Sequence, residues 1–581
     1  MDYDEVTSFL GEWGAFQKAV FLLLSLSTVP NGYAGMAMVF LGDTPGHRCQ
    51  LPFLNASHHH NLSQALPLEE WAGGGGEQAF SRCQRYRRAN GTGPGFSNDT
   101  EGCLDGWHFG SEQYKSTIVT EWSLVCGDSW KVPFSLSVFF MGVLSGSFVS
   151  GQISDRFGRK VTLFVTMAVQ TVFSLVQVMS VSWVMFCVLY FIVGLGQISN
   201  YVAAFVLGSE LLGKSTRVTF STLGVCVFYA IGYALLPLLA YFIRSWRVLL
   251  AALSLPGLLY IPLWWLIPES PRWLLAQGRI DEAEAIVRAI ARKNGVTAPA
   301  VIFKDYQLQE VTDQSHNATN TYMDLVRFST IRNITFLHAS VWSKLLILLH
   351  MICRYGNSLH HSRCSNLHCH RHHFFHCSHI PFRFIISISY FGLSLSTPNM
   401  NGDPYLNCFL SALVEILAYF AAWLLLKWVP RRAVLTVPML TGGLVLCLIH
   451  FVPPDYSVLS MSLAMAAKFG VTTALSVLYI SAVEMFPTVV RGMGIGMCSM
   501  ASKIGSTIAP FFPFLDIYDK KLPYILMGLL TLVAGLLSTL MPETRGAPLP
   551  QQLSEVPTLN WFCTKCKVPA KQKHPEEDGG L

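Results

Sequence analysis

The stretch Gly151-Gln152-Ile153-Ser154-Asp155-Arg156-Phe157-Gly158-Arg159-Lys160 decides how the rest of the chain is read. It lies between two apolar runs, roughly residues 131–150 and 161–181, each about the 20 residues a helix needs to cross a bilayer. A tight turn between two membrane helices is expected here. It carries one acid and three bases. Basic residues beside short loops mark the cytosolic side. Glycines let two helix ends approach closely. Asp155 can pair with a neighbouring cation or with a helix end.

Composition agrees with a chain that crosses the membrane many times. Of 581 residues, 51% are hydrophobic and only 13% charged, and the mean hydropathy is +0.40. A soluble chain of this length would form several domains with charged surfaces. The net charge of +6 resides mostly in short loops and tails, so it points to membrane topology and lipid contact, not to nucleic acid. Residues 1–18 are polar and acidic and show no cleavable signal, so the first helix is expected to be an anchor with a cytosolic N-terminus.

Counting outward from the turn, helix 1 covers about 19–41 and is interrupted by Pro30-Asn31-Gly32. Such a break is tolerated where neighbours or a cavity satisfy the freed backbone. Residues 42–130 form a polar loop with glycosylation sequons at Asn55, Asn61, Asn90 and Asn98 and four cysteines, Cys49, Cys83, Cys103 and Cys126. Both features suit the extracellular side. The cysteines allow three pairings, and the sequence does not choose among them.

Helices 2 to 6 follow at about 131–150, 161–181, 183–209, 217–243 and 246–267. Residues 268–330 read as a cytosolic linker, with Ser270 an N-cap, Pro271 the first helical residue, and a surface helix over 281–293. In that helix Asp281 is the expected cap, Glu284 and Arg288 are spaced as an i,i+4 pair, and Gly295 is the stop. Residues 331–541 hold a second set of six helices, and 542–581 a cytosolic tail. Helices 8 to 12 are placed at about 406–428, 433–451, 457–483, 492–512 and 523–541. Pro542-Glu543-Thr544-Arg545 echoes Pro268-Glu269-Ser270-Pro271-Arg272. The repeat implies two related bundles about an axis along the membrane normal, with substrate bound between them.

Helix 7 is anomalous. Apolar runs at 331–352 and 380–395 are separated by an atypical His/Cys-rich insert, 343–386. Its spacing fits no closed four-ligand zinc module, so no metal site is assigned. The Cys563–Cys566 pair in the tail lacks the second pair that a metal site needs.

Ionisable groups inside spans are costly and mark function. Glu415, Lys468 and Lys503 fall in helices 8, 10 and 11, and the first two are candidates for an ion pair. Tyr201, Tyr229 and Tyr479 are candidates for an aromatic wall around a cation. Gly208 to Ser215, with Gly213 and Lys214, matches a phosphate-loop pattern letter for letter. A membrane helix precedes it where a strand is required, so Lys214 reads as a positive-inside anchor and not as part of an ATP-binding motif.

The turn that holds Gly151, Asp155, Arg156, Gly158 and Arg159 resembles the loop between helices 2 and 3 of the major facilitator superfamily. More specifically, the chain resembles the organic cation/carnitine transporters. The match is carried by Phe9-Leu10-Gly11-Glu12-Trp13-Gly14, Thr120-Glu121-Trp122-Ser123-Leu124-Val125-Cys126, Gln197-Ile198-Ser199-Asn200-Tyr201, Pro268-Glu269-Ser270-Pro271-Arg272-Trp273 and Glu484-Met485-Phe486-Pro487. The resemblance implies an all-α membrane protein with the major facilitator fold: two six-helix bundles, here with an insertion in helix 7. It implies a secondary-active carrier, not an enzyme, moving carnitine and other organic cations or zwitterions across the plasma membrane by alternating access. Lys503 stands where relatives carry an arginine, and is expected to take the carnitine carboxylate. Sodium is the expected coupling ion. Glu484 is implied to influence that coupling, and Asn31, Gln197 and Asn200 offer neutral oxygens for a cation. No other cofactor is implied. In relatives helix 7 is continuous, so the insert reads as translated non-coding sequence, and a transport-defective isoform or membrane scaffold is the alternative. The insert is expected to displace Tyr390 from its place relative to the helix start at Ile331.

Overall fold

A computed structural model describes residues 3–51, 65–70, 78–88, 96–300, 302–303, 382–397, 402–453, 456–485, 491–517, 519, 521–539 and 543. Among the described residues, ten helices are long and apolar enough to span a membrane. In the first half these are Ala15–Leu41, Cys126–Phe157, Arg159–Gln177, Trp183–Leu211, Thr222–Phe242 and Trp246–Leu266, here helices 1 to 6. In the second half they are Pro404–Trp428, Arg431–Phe451, Val458–Leu478 and Leu522–Thr539, helices 8, 9, 10 and 12. Arg491–Ile508 is helix 11, and Phe382–Leu395 is the described part of helix 7. The end that bears the loop 42–130 is termed outer and the linker end inner.

The turn at 151–160 is tighter than its sequence suggests. Helix 2 runs on through Phe157, so Gly151, Asp155 and Arg156 are helical. Nothing in Gly151-Gln152-Ile153-Ser154 breaks the period. Only Gly158, at φ +99°, lies between helices 2 and 3. Its backbone sits where a side chain is strained.

Helix 1 is segmented at Ser27–Thr28, just ahead of Pro30, the second residue of the next piece, Val29–Met36. There it crosses helix 5 with glycines on both sides. A Cβ on Gly32 would lie 2.0 Å from the Tyr229 carbonyl, and one on Gly232 2.1 Å from that of Val29. Helix 5 itself opens with a π-helical stretch, Phe220–Cys226.

The outer loop adds β-structure that the all-α reading leaves out. His47–Cys49 pairs antiparallel with Trp107–Phe109, Leu68–Glu70 with Gln78–Phe80, and Gln84–Arg88 with Phe96–Gly102. The cysteines join as Cys49–Cys103 and Cys83–Cys126. Asn98 is exposed on the last of these strands, while Asn55, Asn61 and Asn90 lie outside the described residues.

In the linker, Ser270 caps Pro271–Ala276 by accepting from the Trp273 N–H at 3.3 Å. The next helix is Ile280–Asn294, so Asp281 is not its cap. The capping position falls on Arg279, and Asp281 lies in the first turn, where its charge suits the helix dipole. Arg288 pairs with Glu284 and Gly295 ends the helix at φ +71°. Asn294 then fastens helix 1, accepting from the Phe16 N–H and donating to the Leu10 carbonyl, each at 3.0 Å.

The run 331–352 and insert residues 343–381 lie outside the described residues. Residues 382–386, assigned to the insert from sequence, are instead packed helix. Arg383 is 1% exposed and donates to the Leu478 carbonyl at 3.0 Å. Tyr390 is buried at the centre of the second half.

The halves meet where helix 5 packs along helix 8 and helix 2 along helix 11. Their outer seam is closed. Tyr405 of helix 8 stacks on Phe40 at 5.3 Å, edges Tyr241, and donates to the Gln113 carbonyl at 3.2 Å.

Candidate functional site

Helix 8 places Ser411 and Glu415 one turn apart on the face that looks into the molecule, and both are fully buried. Lys468 of helix 10, 1% exposed, sets its ammonium 2.9 Å from Glu415 Oε1 and donates to Ser411 Oγ. Tyr390 of helix 7 donates to Glu415 Oε2 at 3.0 Å. Tyr233 crosses from the first half. Its hydroxyl lies 3.2 Å from Ser411 Oγ and its ring 4.8 Å beneath the Lys468 ammonium. Buried charge is tolerable only when paired and hydrogen-bonded in this way. Tyr233, Tyr390 and Ser411 were missed from sequence. The signal for Ser411 is its i,i+4 spacing to Glu415.

Around that pair stands a wall of phenols. Tyr201, Tyr229, Tyr390 and Tyr419 are within electrostatic reach of one another or of Glu415, and Cys226 lies beside Tyr201. Tyr419 was also missed. The side chain of Tyr479 lies outside the described residues. Lys503, half-buried on helix 11, differs from Lys468. Its carbonyl accepts from Thr507 Oγ1 at 2.9 Å, but its ammonium has no hydrogen bond or ion pair among the described residues.

The first half presents neutral oxygens at the same depth. Gln197 donates to the Asn31 carbonyl at 2.6 Å. Asn31 Oδ1 and Nδ2, Asn200 Oδ1 and Gln170 Oε1 are buried with no partner among the described residues. Gln170 was missed. Glu484 does not join this set. It is the penultimate residue of Ser457–Met485, at the inner end of the other half. Its spacing to Arg491 repeats that of Glu210 to Arg217.

Glu210 belongs to the inner latch. Arg159 pairs with Asp155 at 2.9 Å and with Glu210 at 3.3 Å, joining helices 2, 3 and 4. Glu269 Oε1 accepts from the Arg159 and Lys160 N–H groups at 3.0 Å and from that of Ser270 at 2.9 Å. A carboxylate is thereby held on the positive end of helix 3. Trp273 donates to the Asp155 carbonyl at 2.9 Å. Arg156 is exposed beside Phe157. The second half repeats the cap: Glu543 accepts from the Arg431 N–H at 2.8 Å and the Arg432 N–H at 3.1 Å.

The phosphate-loop letters fall on helix, turn and helix. Gly208 lies inside helix 4, where a Cβ would meet the Phe220 ring at 2.3 Å. Gly213 precedes the short helix Lys214–Thr219, and the side chains of Lys214 and Ser215 lie outside the described residues. Arg217 donates to the Ser209 carbonyl at 2.7 Å, and Thr216 to that of Glu12 at 3.0 Å.

Organic cation/carnitine transporter 2 of Homo sapiens is 48% identical over 569 residues, covering 96% of this chain and 94% of that protein. The chain belongs to the organic cation/carnitine transporter family. Solute carrier family 22 member 4 of Mus musculus is 48% identical over 573 residues, with 97% and 96% covered. The organic cation transporter protein of Drosophila melanogaster is 33% identical over 597 residues, with 100% and 98% covered. The sequence pattern of the Sugar (and other) transporter family matches residues 105–346. The inward-open xylose transporter XylE from E. coli superposes with a TM-score of 0.56 at 14% identity, over 92% of this chain and 98% of that one. That likeness shows the major facilitator fold. The protein is a multi-span membrane transporter and not an enzyme.

Proposed function

We propose that this transporter carries carnitine and related organic cations or zwitterions across the plasma membrane, coupled to sodium for carnitine. The glycosylated loop would face outward and both termini the cytosol. The observation that supports this most is the inequality of the two intramembrane lysines. Lys468 is neutralised by Glu415, whereas Lys503 has no described partner. An ammonium without a described partner, in a bundle that also holds a cluster of phenols, suits a ligand with a carboxylate at one end and a quaternary ammonium at the other. Lys503→Ala should lower carnitine uptake at least tenfold, leave tetraethylammonium uptake within twofold, and be partly rescued by Lys503→Arg. Equal loss of both substrates at equal surface expression would sink the assignment.

The unpaired oxygens of Asn31, Gln170 and Asn200 would hold the sodium ion, since a small hard cation prefers neutral and anionic oxygen donors. Asn200→Ala should make carnitine uptake insensitive to replacement of sodium by choline.

A second reading, a transport-defective chain, is favoured by one observation. Between Ile331 and Tyr390 the sequence carries the His/Cys-rich stretch 343–381, whose composition does not suit a membrane span. Deleting 343–381 should restore uptake, and should do so better than a deletion extended through buried Arg383. Equal carnitine transport with and without 343–381 would identify the insert as a tolerated loop.

A further inference from the structure

Helix 3 carries a buried polar stripe, Thr162, Thr166, Gln170, Ser174 and Gln177, on one face along most of its length. A stripe of this kind inside a membrane bundle needs partners or occupants. Its two inner members are satisfied: Thr162 donates to the Gly158 carbonyl and Thr166 to that of Thr162, each at 2.7 Å. The outer members, together with Tyr190 and Asn200, line a cavity of about 30 Å³ between helices 1, 3, 4 and 6. Four orphaned buried atoms belong to residues that line it: Gln170 Oε1, Gln177 Oε1, Tyr190 OH and Asn200 Oδ1. All four side chains are more than nine-tenths buried.

They fall at two levels. Gln170 and Asn200 form the inner level, assigned above to the coupling ion. Gln177 and Tyr190 lie outward of it, about 10 Å along helix 3 from Gln170 to Gln177 and about 15 Å along helix 4 from Asn200 to Tyr190. Gln177 Nε2 donates to the Phe186 carbonyl at 3.4 Å, and its Oε1 is a buried acceptor with no partner among the described residues. At about 10–15 Å³ per water-sized occupant, the cavity holds two. The outer level ends beneath the Arg247–Glu121 ion pair, whose guanidinium donates to the Val178 and Ser180 carbonyls just beyond Gln177. Glu121 offsets the Arg247 charge, so the outer level is not dominated by a bare cation.

We propose that Gln177 and Tyr190, with Ser174, form a second station for a sodium-sized monovalent cation, outward of the first and inside the first bundle. The second station rests on the sodium reading only for its ion, not for its residues. Because it lies between helices of one half, it is separate from the cavity between the halves.

The test is thermal unfolding of the purified full-length chain, titrated with sodium chloride against choline chloride. A ligand bound to the folded state raises Tm by mass action, whether or not the chain transports. Gln177→Leu, Asn200→Ala and the double variant are compared with the unsubstituted protein. Each single variant should retain part of the sodium-dependent shift, roughly half, and the double variant none. If Asn200→Ala alone abolishes the shift, the outer station is overturned and the inner one stands. If Gln177→Leu alone abolishes it, the inner site falls and the outer remains. No shift in the unsubstituted protein overturns both. Should Gln177→Leu fail to fold, Gln177→Glu gives the opposite sign: an added carboxylate should lower the sodium midpoint at least threefold, and an unchanged midpoint contradicts the proposal.

Discussion

The two halves of the transporter share a fold and an inner cap but differ in what they bring to mid-membrane. The first half supplies Asn31, Gln170, Gln197 and Asn200, all neutral. The second supplies Glu415, Lys468 and Lys503. The inner ends diverge in the opposite sense. Arg159 is clamped by Asp155 four residues before it, whereas Arg431 has Lys427 at that offset. Yet Arg159 and Arg431 each donate to the carbonyl five residues back, Ser154 and Leu426, and each helix start is capped by a glutamate. One duplicated scaffold therefore divides its work. The second half holds formal charge at mid-membrane and the first holds neutral oxygens there, a division that suits the proposed carriage of a zwitterion.

The largest effect should come from unbalancing the second half. Removing one member of a buried pair leaves an uncompensated charge and costs about 3–5 kcal/mol. Lys468→Met or Glu415→Leu should each lower Tm sharply, while the double substitution should recover most of the loss. Singles and double that destabilise alike would show that the pair is not a unit.

Next in size is Gly158→Ala. The positive φ is strained for alanine by about 1–3 kcal/mol, and its Cβ would lie 2.4 Å from Glu269 Oε2. The second half has Pro430 at the matching position, so Pro430→Ala should be mild. Comparable loss of maximal uptake rate in both would erase the asymmetry of the latches.

Smaller again is Asp155→Ala. The Asp155 side chain is 75% exposed, and an exposed pair contributes about 0–1 kcal/mol, so stability should barely change. Maximal uptake should fall severalfold, with the half-saturation constant within twofold, because the latch is remote from the substrate. A raised half-saturation constant at unchanged maximal rate would count against a gating role.

The smallest effect is expected at the outer seam. Asp43 accepts from Tyr114 OH at 2.7 Å beside the Tyr405 plug. Burial raises its pKa, and hydrogen bonds from Tyr114 and the Thr44 N–H only partly offset this. The outer-closed state thus favours the protonated acid. Its advantage grows as pH falls through the raised pKa and is lost as pH rises above it. Uptake should drop at acid external pH by less than about twofold, and Asp43→Asn should flatten the profile. An unchanged profile in Asp43→Asn would assign the pH dependence elsewhere.

Much of the fold was legible because membrane helices announce themselves by length and apolarity. The extent of helix 2 was not, since glycine and serine at 150–154 look like a turn but cost little in a helix packed by neighbours. Glu415 and Lys468 could be singled out as charges in apolar spans. Their partner Tyr390 could not, because tyrosine is ordinary in such helices, and Ser411 is marked only by its i,i+4 spacing to Glu415. Gln170 escaped for the same reason: a lone glutamine in an apolar run carries no signal until its helix face is known. Glu484 was named from family likeness alone, and its backbone lies near the end of helix 10, in the other half from the carboxamides.

The division of labour between the halves is tested most directly by one measurement. Initial uptake of carnitine and of tetraethylammonium is compared, with and without sodium, in the Lys503→Ala protein lacking residues 343–381. Carnitine uptake should fall at least tenfold while tetraethylammonium uptake stays within twofold, and the residual carnitine uptake should still respond to sodium. Parallel loss of both substrates, or loss of the sodium response from this second-half substitution, would contradict it.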